Sequence, residues 1–221
     1  MTSSSPPKPR DTVAALLRRR LREIKRSPEE LAEAVEVPAR YIDDLMSGSR
    51  RPPLPGRTDI YEKMTSFLRL GRNDVVACAH AERASAGGKA SGPGSNVRGL
   101  LLELCEPKTA RQLERRRARH GGAELVGLIQ RLLDVVQGAV RRALDDQIGL
   151  RLQAAERGST YVDMRFRILE FLDVTPDTLT AEDLSEFLHP RIARWDVDLE
   201  TGVLRVVMRP QGYRDRTRKP A

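Results

Sequence analysis

Residues 27–56 read SPEELAEAVEVPARYIDDLMSGSRRPPLPG, and the fold turns on how this stretch is read. Ser27 is placed to cap a helix, Pro28 suits the first helical position, and Glu30 completes a capping box. Leu31, Ala34 and Val35 then face inward. Glu36-Val37 makes the turn. A second helix begins at Pro38 and carries Tyr41, Ile42 and Leu45 at helical spacing. Ser47-Gly48-Ser49 closes it, and PPLPG is a loop that helix geometry forbids. Two short helices joined by so tight a turn have helix-turn-helix spacing.

On the N-terminal side, Asp11 is the predicted cap of a helix with Val13, Leu16, Leu17, Leu21 and Ile24 on one face. On the C-terminal side, Ile60, Met64, Phe67, Leu68 and Leu70 form a fourth helix. Asn73-Asp74 starts a fifth, with Val75, Val76 and Cys78. Residues 11–83 thus make one small helical domain, behind a Ser/Pro-rich tail over 1–10 that reads as disordered. Residues 84–96, ASAGGKASGPGSN, read as a flexible linker. They do not fit a phosphate loop, because Ala90 follows Gly88-Lys89 and Arg83 stands at the first glycine position. They do not fit a dinucleotide loop, because Val97 replaces the third glycine.

Residues 97–209 form the second domain. A short Leu-rich helix stops at Pro107, and a basic helix over 109–120 ends in ERRRARH before Gly121-Gly122. A long apolar stripe over 123–157 includes Leu125, Leu128, Ile129, Leu132, Val136, Val140 and Leu144. It reads either as the spine of this domain or as the seam of a homo-oligomer. Ser159 starts a helix with Met164, Ile168, Leu169 and Leu172, and Thr180 starts another with Leu184, Phe187 and Leu188. In WDVDLETGVLRVVMR the period changes to two around Thr201-Gly202, which predicts a β-hairpin. Residues 210–221 are a basic tail. The expected fold class is mainly α, ending in a small hairpin.

The chain carries a net charge of +8 with 4% aromatic residues. A basic balance favours phosphate-bearing partners, whether nucleic acid such as double-stranded DNA or acidic lipid headgroups. Cys78 and Cys105 lack CxxC spacing and read as buried thiols of a cytoplasmic protein. No apolar run reaches the length of a membrane span. His80, His120 and His189 lack ligand spacing, so neither a metal nor a cofactor is expected. No nucleophile signature occurs, so no catalytic residue is expected.

Residues 13–75 resemble the lambda-repressor-like (Cro, XRE) helix-turn-helix family. The resemblance rests on Leu31-Ala32, Val37, Ile42, Leu45, Gly48 and Pro52. It implies a five-helix domain whose second motif helix enters the major groove, in a dimeric transcriptional regulator. Lys25, Arg26, Arg40, Tyr41, Ser49, Arg50, Arg51 and Arg57 are then the expected DNA contacts. Family members often have Gln where Pro28 stands and Gly where Glu36 stands. Residues 37–71 also look like the corresponding module of the bacterial RodZ family, through Pro38, Arg40, Tyr41, Leu54-Pro55-Gly56 and Phe67-Leu68-Arg69. That module binds a cytoskeletal protein, which implies an adaptor whose Asp43 and Asp44 meet a protein partner.

Overall fold

The computed structural model of the 221-residue chain describes residues 12–85, 92, 94–120 (side chains as far as 116) and 123–209. Asp11, the two tails, Gly121-Gly122 and the middle of the Gly/Ser-rich stretch lie outside them. Among the described residues the chain is mainly helical, with one two-stranded antiparallel sheet near its end. None of these helices is long and apolar enough to cross a membrane.

The chain divides into two compact units, and the division does not follow the sequence order. The first unit joins residues up to 89 with 139–173, and the second joins 90–138 with the remainder. Residues 139–173, assigned above to the second domain, therefore belong with the N-terminal helices. The boundary falls inside one continuous helix, α8 (Ala123–Asp145).

In the first unit, α1 (Val13–Ile24) is capped by the Thr12 hydroxyl, which accepts from Ala15 N. The chain continues through α2 (Pro28–Val35), α3 (Ala39–Ser47), α4 (Ile60–Leu68) and α5 (Asp74–Ser85). The capping box on α2 is complete, with Ser27 Oγ accepting from Glu30 N at 3.2 Å and Glu30 accepting from Ser27 N at 2.8 Å. Ser27→Ala should cost about 1 kcal/mol of stability, measurable as a shifted urea midpoint. Pro38 remains extended and caps α3 without a side-chain bond, so α3 starts one residue later than expected. Leu17, Leu31, Val35, Ile42, Ile60, Met64 and Leu68 are fully buried. At the end of α4 the carbonyls of Leu68 and Arg69 accept from the Arg20 guanidinium at 2.7 and 2.9 Å, a cation at the negative pole of a helix.

The apolar stripe predicted over 123–157 is two helices. Asp146 leaves helical geometry, and its carboxylate accepts from Gly149 N at 2.9 Å, capping α9 (Gln147–Glu156). Gly138 stays within α8. Leu128, Leu132, Val136, Val140 and Leu144 are buried within the single chain, so this stripe is core rather than an open oligomer seam. The α9 helix leads to α10 (Tyr161–Leu172), capped by Thr160.

In the second unit, α6 (Ser95–Glu103) precedes α7 (Pro107–His120). The first ends at Glu103 with Leu104 as its C-cap, before the predicted stop at Pro107, and Pro107 opens the second, as its missing N–H permits. Thr180 and Asp183 form a capping box on α11 (Ala181–Asp183). The helix then widens into an i→i+5 turn over Leu184–Leu188, closed by His189 N donating to Leu184 O at 2.8 Å. The hairpin pairs β1 (Ile192–Asp198) with β2 (Val203–Met208), with Gly202 at positive φ in the turn. Ile192, Trp195 and Val197 of β1 are buried. The Trp195 indole N–H donates to Leu101 O at 2.8 Å, and its backbone N donates to Leu104 O at 2.9 Å.

Candidate functional site: the third helix and its loop

The α3 helix buries Tyr41, Ile42 and Leu45 and exposes Arg40, Asp43 and Ser47, with Asp44 half-buried. Its end is held locally. Asp44 O accepts from Arg50 N at 3.0 Å, and the Ser49 hydroxyl lies 3.2 Å from the same carbonyl and 3.3 Å from Asp44 Oδ1. Ser49 and one acidic residue are therefore committed to closing the helix.

Tyr41 is 3% exposed and meets Phe166 of α10 edge-on, with ring centroids 5.6 Å apart. Burial drives its phenol well above the ordinary range, and the Arg50 charge offsets this only in part. A side chain so enclosed is a packing residue. The Arg40 guanidinium lies over the Phe166 ring at 5.4 Å. That of Arg50 lies over Tyr41 and Phe166 at 5.1 and 5.4 Å, and its Nη2 is 3.0 Å from Glu170 Oε1. Arg57 Nη1 donates to Leu172 O at 3.4 Å. Three of the expected DNA-binding arginines are thus turned onto α10.

The loop between α3 and α4 is fastened at more points. Asp173 accepts from Leu54 N at 3.2 Å and pairs with Arg83 at 2.9 Å, and Arg83 also donates to Pro52 O at 2.6 Å. The Tyr61 hydroxyl donates to Pro53 O. Of the remaining expected contacts, Lys25 is the left-handed cap of α1, Arg26 pairs with Glu30, and Arg51 is exposed.

The residues that organise this surface come from places the sequence reading did not single out. Arg165 of α10 is 1% exposed. Its Nη2 lies 2.7 Å from Asp59 Oδ1 and its Nε 3.6 Å from Glu36 Oε2. Lys63 pairs with both carboxylates, and the Tyr161 hydroxyl donates to Glu36 at 3.2 Å. Glu36 sits at φ 60°, a left-handed position that favours glycine. A glutamate there keeps the strain and gains the cluster. That acidic residue at a turn position was the one signal in the sequence that pointed here.

By formal charge the stretch over α2 and α3 is acidic, although Arg26 pairs with Glu30, and Lys63 and Arg165 with Glu36. Residues 28–47 hold Glu29, Glu30, Glu33, Glu36, Asp43 and Asp44 against Arg40. Among the described residues, no group of three or more His, Cys, Asp or Glu is placed to hold a metal ion. No protein-family model matches the chain, and comparison with curated proteins and with solved structures finds no match.

Proposed function

We propose that the chain is a protein-interaction adaptor built on a helix-turn-helix, and that its acidic α2–α3 surface receives a basic protein segment. The observation that carries this reading is the engagement of Arg40, Arg50 and Arg57 by α10. Affinity for duplex DNA comes largely from cations on phosphates. Here Arg50 and Arg57 of the loop reach α10, Arg51 is exposed, and Asp43 faces outward. At roughly 100 mM salt, where phosphate contacts still hold, a labelled 20-base-pair duplex should show no salt-sensitive binding. A labelled Lys/Arg-rich peptide should bind, and Asp43→Lys with Asp44→Lys should abolish that binding. Duplex binding by the unaltered chain that Arg51→Glu removes would overturn the proposal.

A second reading, a DNA-binding transcriptional regulator held shut by α10, draws on one observation. The Glu170 carboxylate sits on Arg50 where a phosphate oxygen would stand. On that reading, Glu170→Gln combined with Phe166→Ala converts a chain silent toward duplex DNA into one that binds it.

A further inference from the structure

Among the described residues, the sheet of the second unit has one unpaired edge. On the far side of β1, the segment at Leu104 and Cys105 runs alongside, with Trp195 N donating to Leu104 O and a parallel bridge between Cys105 and Trp195. On the far side of β2 no strand is paired among the described residues. Yet β2, VLRVVM, carries one charged residue, and Val203, Val207 and Met208 are 50%, 52% and 39% exposed. Natural sheets protect such edges with lysines, prolines, bulges or covering segments. Bare, apolar and β-branched, this one is built to be covered.

The backbone says which atoms are on offer. Arg209 N donates to Arg191 O at 2.7 Å, next to the Ile192–Met208 pair. Successive amides of a strand point to opposite edges. Val207, Arg205 and Val203 therefore turn their amides toward β1, and Leu204, Val206 and Met208 turn theirs outward. The side chains of those three residues lie opposite Val197, Trp195 and Ile192 of β1, on the face that β1 buries. A strand added at this edge would satisfy the outward amides and continue the apolar face.

We propose that the occupant is β2 of a second copy of this chain, paired antiparallel about a two-fold axis at Val206. Hydrogen bonding restricts the register, because outward residues must meet outward residues. Centring on Arg205 would set two guanidinium groups opposite each other, which is unfavourable. Centring on Val206 pairs Val206 with itself, Leu204 with Met208, Arg205 with Val207 and Val203 with Arg209. Charge then complements across the axis. Each Arg209 lies in line with Val203 of the second copy and, across the hairpin, with its Asp198. Beyond Arg209 the sequence carries Arg214, Arg216, Arg218 and Lys219, a charge opposite to that of Asp198 and Glu200 in the second copy's turn. The interface is small against the roughly 1,600 Å² of a standard complex, so the pair is a weak dimer.

Sedimentation equilibrium of the full chain tests the proposal, with mass expected to climb toward twice the protomer as concentration approaches about 0.5 mM, as suits a small interface. Val206→Pro removes an outward amide and no bond of the hairpin's own ladder, so it should keep the circular dichroism spectrum and lose the mass increase. Should that variant misfold, Val206→Cys carries the test. Paired Cα atoms about 5.5 Å apart suit a disulfide, so mild oxidation should give a covalent dimer from Val206→Cys and none from Arg205→Cys. A chain monomeric throughout, a folded Val206→Pro that still dimerises, or equal cross-linking at 205 and 206 overturns the proposal.

Discussion

Replacing Arg165 by methionine is expected to lower the stability of the first unit by about 2–4 kcal/mol. Breaking a buried ion pair from one side typically costs about 3–5 kcal/mol, because the surviving charges lose their compensation. Here the surviving carboxylates, Asp59 and Glu36, keep 32% and 29% side-chain exposure, and Lys63 still reaches both. Water and Lys63 therefore recover part of the loss. Adding Asp59→Asn to Arg165→Met should restore some stability by removing the stranded charge, and Arg165→Lys should fall between, lacking the guanidinium fork. Urea unfolding at pH 7 followed by circular dichroism measures all three. An unchanged midpoint in Arg165→Met would show that the cluster is incidental to the fold.

The same cluster sets a pH dependence. Burial pushes Asp59 upward, but the hydrogen bond and charge of Arg165, reinforced by Lys63, outweigh it and hold the carboxyl below its ordinary value. Glu36 follows the same balance, with Lys63 first among the groups that lower it. A depressed folded-state pKa contributes stability above the unfolded value, near 4, and loses it as pH falls through the folded value. The unaltered chain should therefore weaken on acidification below about pH 4. Arg165→Met, having already lost the interaction, should weaken less over that window, so the gap between the two narrows.

Several helix ends were readable because their chemistry is local, although α1 and α10 are capped by Thr12 and Thr160, one residue after the expected Asp11 and Ser159. Ser27-Pro28, Thr180 and the Thr201-Gly202 turn each act on neighbours within four residues, and each lies where the spacing put it. What joins to what was not readable. A 3.6-residue period says that Ile168, Leu169 and Leu172 share a face, but not that α10 belongs with helices more than a hundred positions away. Asp146 was hidden for a related reason: an aspartate is tolerated inside a helix and also caps one, and only the Gly149 amide decides between them.

The candidate site was half legible. The two short helices and their turn followed from the sequence, and so did the acidity of α3. The arginines of the loop were counted as cations facing solvent, since nothing in SGSRRPPLPG announces Glu170, 120 residues on, or the Phe166 ring beneath Arg50. Nothing in the sequence separates Arg165 from Arg167, two positions on in the same helix. Burial separates them: Arg165 is enclosed, while Arg167 reaches toward Glu170 from a half-exposed position. Formal charge is a property of composition, but the field a partner meets depends on which charges the fold has already paired.

Trp195→Ala should be the most damaging single change in the second unit, at about 3–5 kcal/mol. The indole is fully buried, and its N–H ends on Leu101 O in α6, so it fastens the hairpin to a helix as well as filling volume. Trp195→Phe keeps most of the volume and drops the hydrogen bond. Leu101 O retains the Leu104 amide as a donor at 3.2 Å, so no carbonyl is orphaned and the cost should be near 1 kcal/mol. The comparison separates packing from polar fastening: if both variants lose the same stability, the hydrogen bond and not the ring anchors the strand. Trp195 is the chain's one tryptophan, so a red shift in emission on unfolding reports this unit in the unaltered chain, and circular dichroism follows the variants. Because β1 is the strand that β2 pairs with, loosening Trp195 should also remove the ordered edge on which self-association depends. Trp195→Ala should therefore remain monomeric under conditions where Trp195→Phe still dimerises.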